Sequence, residues 1–154
     1  MSLLRSLRQQ ENGQTLIEFA LVLPILILVS LAIVDFGKAL NYWNDATHIT
    51  AEGARYAAVN GKPNPASPLT LQAQLLAQAD TGELRNGGTD SVETAPQVCI
   101  TFPNGTAQRG DPVRVSMTFR YAWLPLLDVA ATDITSTAVM RLETAPTVYT
   151  AGCA

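Results

Sequence analysis

The sequence predicts an α+β protein in which a long N-terminal transmembrane helix leads to a small antiparallel sheet of three to four strands. Three observations predict it. Residues Leu16 to Val34 form one apolar run, apolar residues then recur at steps of three and four from Phe36 to Ala57, and after Pro96 the period changes to two. The chain has 154 residues and a formal net charge of -3, with 47% hydrophobic but only 15% charged residues. A soluble domain usually carries about 25% charged residues, and the apolar excess sits almost wholly in the N-terminal run. What remains allows one domain of about 100 residues, which excludes a large multidomain enzyme. The acidic balance, with a pI near 5.0, offers no basic stripe for a phosphate backbone, so no nucleic-acid partner is expected.

Residues 1–13 are polar, with Arg5 and Arg8 against a single Glu11, and read as a cytoplasmic leader. The apolar run that follows is interrupted only by Glu18, Pro24 and Ser30 and reaches about 28 Å as a helix, one bilayer crossing. Positive charge on the leader side keeps the N-terminus in the cytoplasm and places everything after Asp35 on the far side. Three readings compete for this segment. A cleaved secretory signal would use Ser30-Leu31-Ala32 as its exit site, but the apolar run continues past it. A plain membrane anchor explains the length but leaves Glu18, a carboxylate that costs free energy on insertion, without a use. In the third reading the bond after Gly13 is cut, Gln14 becomes the new N-terminus and Glu18 its fifth residue. In a stack of such stems that carboxylate approaches the new α-amino group of a neighbour, and pairing offsets the insertion cost.

A leader ending in Gly, then four residues, then Glu18-Phe19 and a continuous apolar helix resembles the processing signal of type IV pilin-like proteins. It resembles in particular the TadE-like minor pilins and pseudopilins of the tight-adherence (Flp) pilus. The resemblance implies that prepilin peptidase cuts between Gly13 and Gln14, that Glu18 is the assembly acid, and that Phe19 completes the Glu-aromatic pair. Gln14 departs from the Phe or Met with which many mature pilins begin. The chain is longer than a major Flp pilin, which is little more than the stem, so a minor role is implied.

Beyond the membrane Phe36, Leu40, Trp43, Thr47, Thr50, Ala54 and Ala57 keep helical spacing while Lys38, Asn41, Asp45, Glu52 and Arg55 fall largely on other faces. The stem is therefore expected to extend from residue 14 to about Val59, weakened at Pro24 and Gly37. Small residues along Ala46, Ala51, Gly53, Ala54, Ala57 and Ala58 permit close approach by another element. The stretch Glu52 to Ala58 also resembles the alanine-rich helix that follows the membrane span in TadE-like proteins, and an ordinary amphipathic helix covering a sheet explains it equally well. Asn60-Gly61 ends the helix, and Lys62 to Pro68 is a helix-breaking connection. Ser67 and Pro68 read as cap and first position of a short helix from Pro68 to Ala79, with Leu71, Leu75 and Leu76 on one face. Gly82 is expected to end it, and Gly82 to Ala95 to form a surface loop.

Val98, Ile100 and Phe102 alternate with Cys99 and Thr101, then Pro103-Asn104-Gly105-Thr106 turns. Val113, Val115, Met117, Phe119 and Tyr121 form one face of a second strand, and Ile134, Ser136, Ala138, Met140 and Leu142 one face of a third. The apolar connection Trp123 to Leu127 either covers one end of the core or touches a neighbouring subunit. Asn104-Gly105-Thr106 matches a glycosylation pattern but is explained by the turn.

Cys99 and Cys153 both fall on the exported side, where disulfides persist. Either they bond, closing a loop of about 54 residues that the chain-entropy model values at roughly 4 kcal/mol at most, or Cys99 is a buried thiol and the tail is loose. No metal site is expected: His48 stands alone on the stem, with no second His or Cys at ligand spacing. No Gly-rich phosphate loop is present, and Asp111, Asp128 and Asp133 sit where turn formation explains them.

The expected organisation is a leader (1–13), a stem (14–59) and an exported head (60–154), with no cofactor and no small-molecule substrate. The resemblance implies a structural subunit, not an enzyme, held in the inner membrane with its head in the periplasm or outside, and acting in pilus assembly and surface adhesion. Its implied partners are prepilin peptidase, the major pilin and other minor pilins, and the inner-membrane assembly platform. The alternative is a single-pass anchored binding or sensor domain with no pilus role.

Overall fold

The computed structural model describes the backbone of residues 3–124 and 130–154 and the side chains of 13–124 and 130–154. The chain divides into two compact units, Met1–Gly37 and Lys38–Ala154. Helix α1 (Leu3–Ala58) runs from the first into the second.

In the first unit the apolar side chains point outward: Leu16, Ile17, Phe19, Leu21, Val22 and Ile25 are all more than half exposed. This helix, none of whose most apolar window is buried among the described residues, is long and apolar enough to cross a membrane. Pro24 lies inside the helix and removes one backbone donor. The Ser30 hydroxyl donates to the Leu26 carbonyl at 2.8 Å, so this polar group is satisfied within its own helix.

The second unit takes in the amphipathic half of α1 from Lys38 onward, because that half carries the face that the sheet needs. Strands β1 (Gln97–Thr101), β2 (Pro112–Trp123), β3 (Ala130–Arg141) and β4 (Gly152–Cys153) form one antiparallel sheet in the order β3-β2-β1-β4. On β2 the alternation is complete: Val113, Val115, Met117, Phe119 and Tyr121 are buried, joined by Val98 and Ile100 of β1. Against them α1 lays Ala39, Tyr42, Ala46, Ile49, Ala54 and Ala57. The alanines let the helix lie close, and the large strand residues each contribute about 1.5–3 kcal/mol by leaving water. Tyr42 meets Phe119 and Tyr121 edge-on, with ring centroids 6.3 and 5.9 Å apart.

Strand β3 is an edge and only thinly covered. Ser136 is buried beneath α1, its hydroxyl within 3.1 Å of Thr50 Oγ1 and 3.2 Å of Thr47 Oγ1. Met140, expected on the same inner face, is 37% exposed, while Leu142 beyond it is buried. The apolar connection after Trp123 falls on residues 125–129, outside the described residues. Trp123 itself packs on Tyr121 at 5.0 Å and donates its indole N–H to Thr132.

Two short helices differ from their sequence expectation. Helix α2 is confined to Leu71–Leu76, and Thr70 caps it by accepting from the Ala73 amide. The Ser67 hydroxyl instead accepts from the Leu69 amide, a local turn. Residues 82–95 do not begin as a loop. Thr81 caps α3 (Gly82–Asn86) through the Leu84 amide, and Leu84 is fully buried. Val92 is buried as well and bridges to Tyr121.

Gly53 is a point of close approach of α1 to the core. A Cβ there would lie 2.6 Å from Leu75 Cδ1 and 3.1 Å from Val115 Cγ1, both on fully buried residues. In an open helix Gly→Ala gains about 1 kcal/mol, but overpacking costs about 1–3 kcal/mol. Gly53→Val adds a branched side chain to the same clash, so a net loss of about 2 kcal/mol is expected in urea unfolding of the full chain in micelles. A stabilised variant would mean that α1 does not seat there.

Candidate assembly site

The residues singled out at the N-terminus lie on α1 within the first unit. Gln14 and Glu18 stand four positions apart on one helix face, and the Gln14 amide donates to Glu18 Oε1 at 3.2 Å. Phe19 follows on the adjacent face, 57% exposed. Gly13 precedes them inside the helix, and a Cβ on it would meet nothing within 4 Å. The helix thus presents one carboxylate on an otherwise apolar surface, with open space around the Gly13 backbone. Chemically, that carboxylate, which accepts from the neutral Gln14 amide, can also take a cation or a strong donor from another molecule.

In the second unit Lys38 donates to Ser91 Oγ at 2.7 Å and pairs with Glu83 Oε2 at 3.1 Å, and the Tyr42 hydroxyl donates to the same carboxylate. This network pins α3 to α1. It was not legible in the sequence, because Glu83 and Ser91 lie in the stretch that reads as a polar loop. Farther along α1, His48 is largely exposed and stands 4.0 Å from Glu52. Asp45 accepts from the Asp80 amide at 2.8 Å; burial, reinforced by the Asp80 charge, raises its carboxyl above the usual range. Among the described residues no group of three or more His, Cys, Asp or Glu is placed to hold a metal.

Cys99 and Cys153 are brought together as cross-strand partners of β1 and β4 and form a disulfide. The tail leading to it crosses the end of α1. Asn60 Oδ1 accepts from the amides of Thr147 and Val148 at 2.8 and 3.0 Å, and the Tyr149 hydroxyl donates to the Ala57 carbonyl at 2.7 Å. That carbonyl, in the last turn of α1, also accepts from the Asn60 amide at 3.2 Å.

Burial pushes the Tyr149 hydroxyl from its ordinary 10 up to about 12. The folded state therefore keeps a proton that the unfolded chain gives up, so the contribution is complete below pH 10 and is lost between pH 10 and 12. Tyr149→Phe is expected to flatten the stability profile in that window while costing about 1 kcal/mol at neutral pH. Urea midpoints from pH 8 to 12 would measure both; an unchanged slope would exclude this hydroxyl as the titrating group.

The family model described as "TadE-like protein" matches residues 13–55. The match begins at Gly13, contains Gln14, Glu18 and Phe19, and ends within the helix face that packs on the sheet. No curated protein and no solved structure matches the chain.

Proposed function

We propose that this chain, whose stem is TadE-like over residues 13–55, is a minor pilin or pseudopilin of a tight-adherence type IV pilus. In this reading prepilin peptidase cuts after Gly13, the membrane holds the stem until assembly, and the subunit contributes to pilus assembly and surface adhesion alongside the major pilin and other minor pilins. The observation that carries it is Glu18: an exposed carboxylate on an apolar helix, one turn from Gln14 and inside the matched stretch. A charged group at membrane depth is costly and calls for a partner. After cleavage the α-amino group of Gln14, with an ordinary pKa of about 7.7–8.0, is a cation suited to that role on a neighbouring stem.

Gly13 suits the cut for a second reason. A protease needs extended backbone, and Gly weakens a helix by about 1 kcal/mol relative to Ala, so opening α1 at this position is eased by that much. The test is the intact mass and N-terminal sequence of the protein isolated from membranes of cells carrying the secretion machinery. A start at Gln14 is expected. A start at Met1 or Ser2 would instead support a plain anchor bearing a binding or sensor domain, and a start near Ile33 a secreted head.

A further inference from the structure

The tail after Glu143 ends in β4, which closes the sheet's second edge. Residues 152–154 lie along β1: Cys99 pairs with Cys153 and Ile100 with Gly152, and Val98 and Ala154 exchange backbone hydrogen bonds at 2.9 and 3.0 Å. With β4 only two residues long, this ladder is too short to hold by itself. The remaining attachments are the buried Tyr149 ring, set against Phe102 with centroids 6.5 Å apart, and side-chain hydrogen bonds: Asn60 to Thr147 and Val148, Tyr149 to Ala57, and the Gln72 amide to the carbonyls of Thr150 and Gly152 at 2.9 and 3.3 Å. Most of the tail is solvent-exposed, Cys153 included. Its single covalent hold is therefore open to thiols in solution.

The geometry points to a redox-released guard: the Cys99–Cys153 bond holds the tail, 144–154, over the edge of β1, and its reduction frees the tail while the rest of the head stays folded. The exchange balances with any thiol reductant. Two thiols deliver two electrons and two protons, the S–S bond breaks to give the Cys99 and Cys153 thiols, and the reductant leaves as its own disulfide. Closure is the reverse, driven by an external disulfide. Separability follows from where the tail sits. The inner core of β2, with α1 and α2 upon it, takes one residue from the tail, Tyr149, and the β1–β2 ladder lies on the opposite side of β1. Once freed, β1 presents unpaired backbone groups at Val98, the kind of open edge that accepts an added strand. The guard operates whether or not the subunit enters a filament.

Amide hydrogen exchange on the full chain in micelles tests it, comparing the oxidised protein with the thiol-reduced protein and with Cys99→Ser/Cys153→Ser. The reporters are the amides of Val98, Thr147, Val148 and Ala154, whose acceptors lie across the tail contact; the comparison set is the amides of β2. The expected result is at least about tenfold faster exchange at the four reporters in both disulfide-free forms, with β2 unchanged. Equal protection at the reporters would overturn the proposal, because the tail would be held without the bond. So would a matching acceleration throughout β2, which would make the bond a staple of the whole head.

Discussion

Glu18→Ala is expected to leave cleavage after Gly13 intact and to remove the subunit from the assembled pilus, reducing its amount in sheared filaments at least about tenfold while the membrane pool persists. The two effects separate because they concern different atoms. In the proposed reading cleavage acts on the backbone at Gly13, where a Cβ would meet nothing within 4 Å, and the Glu18 side chain lies more than a turn away. Incorporation in the proposed reading needs the carboxylate itself. On insertion scales an acid costs about 2.5–3.5 kcal/mol at the membrane centre and less near an interface. The variant should therefore insert at least as well as the natural chain, and any loss of incorporation cannot be blamed on poor membrane entry. Immunoblots of sheared and membrane fractions, with intact mass on the latter, read both halves. An unchanged filament fraction would remove the assembly role of Glu18, and with it the strongest reason to prefer a pilin subunit to a simple anchor.

What the sequence discloses here depends on how far each signal reaches along the chain. The apolar run and the alternation on β2 repeat over many residues, so their faces could be read directly: each of Val113, Val115, Met117, Phe119 and Tyr121 is buried. Gln14 and Glu18 stand out in the sequence by their place after Gly13 in a processing-signal pattern, and the four-residue step between them puts both side chains on one helix face. The short elements were not. Helix α3 has five residues and exists because Thr81 caps it and Leu84 finds a place in the core; that place is made by residues far away in sequence. Helix α2 starts at Leu71, not at the Ser-Pro pair, for the same reason: burial of Leu71 and Leu75 decides the register, and Thr70 is the hydroxyl one position before it. The tail was the least legible. Thr147 and Val148 meet Asn60 across 87 and 88 positions, and nothing local marks a partner at that range. Met140 shows the converse, a correct alternation on an edge strand that α1 covers at Ser136 but that is 37% exposed at Met140.

The seat of α1 on the sheet is where a single truncation should cost most. Phe119 is 1% exposed, touches Tyr42 edge-on and lies two positions along β2 from Tyr121, which meets the same tyrosine. Removing its ring takes away the transfer free energy of an aromatic side chain and leaves a cavity. The neighbours cannot fill it, because Tyr42 is held at its hydroxyl by Glu83 and Tyr121 is clasped between Tyr42 and Trp123. Phe119→Ala is therefore expected to cost about 3–5 kcal/mol, a large part of the roughly 5–15 kcal/mol by which a domain is stable. Thermal unfolding of the full chain in micelles, followed by near-ultraviolet circular dichroism, should show the midpoint fall by roughly 10–25 °C. Phe119→Leu, which fills most of the volume, should recover more than half of that loss. A cost under about 1 kcal/mol for the alanine variant would mean that α1 does not seat on this face of β2. The amphipathic half of the helix would then lose its reason for belonging to the head, since Tyr42 is its largest buried side chain and Phe119 and Tyr121 are the rings it meets.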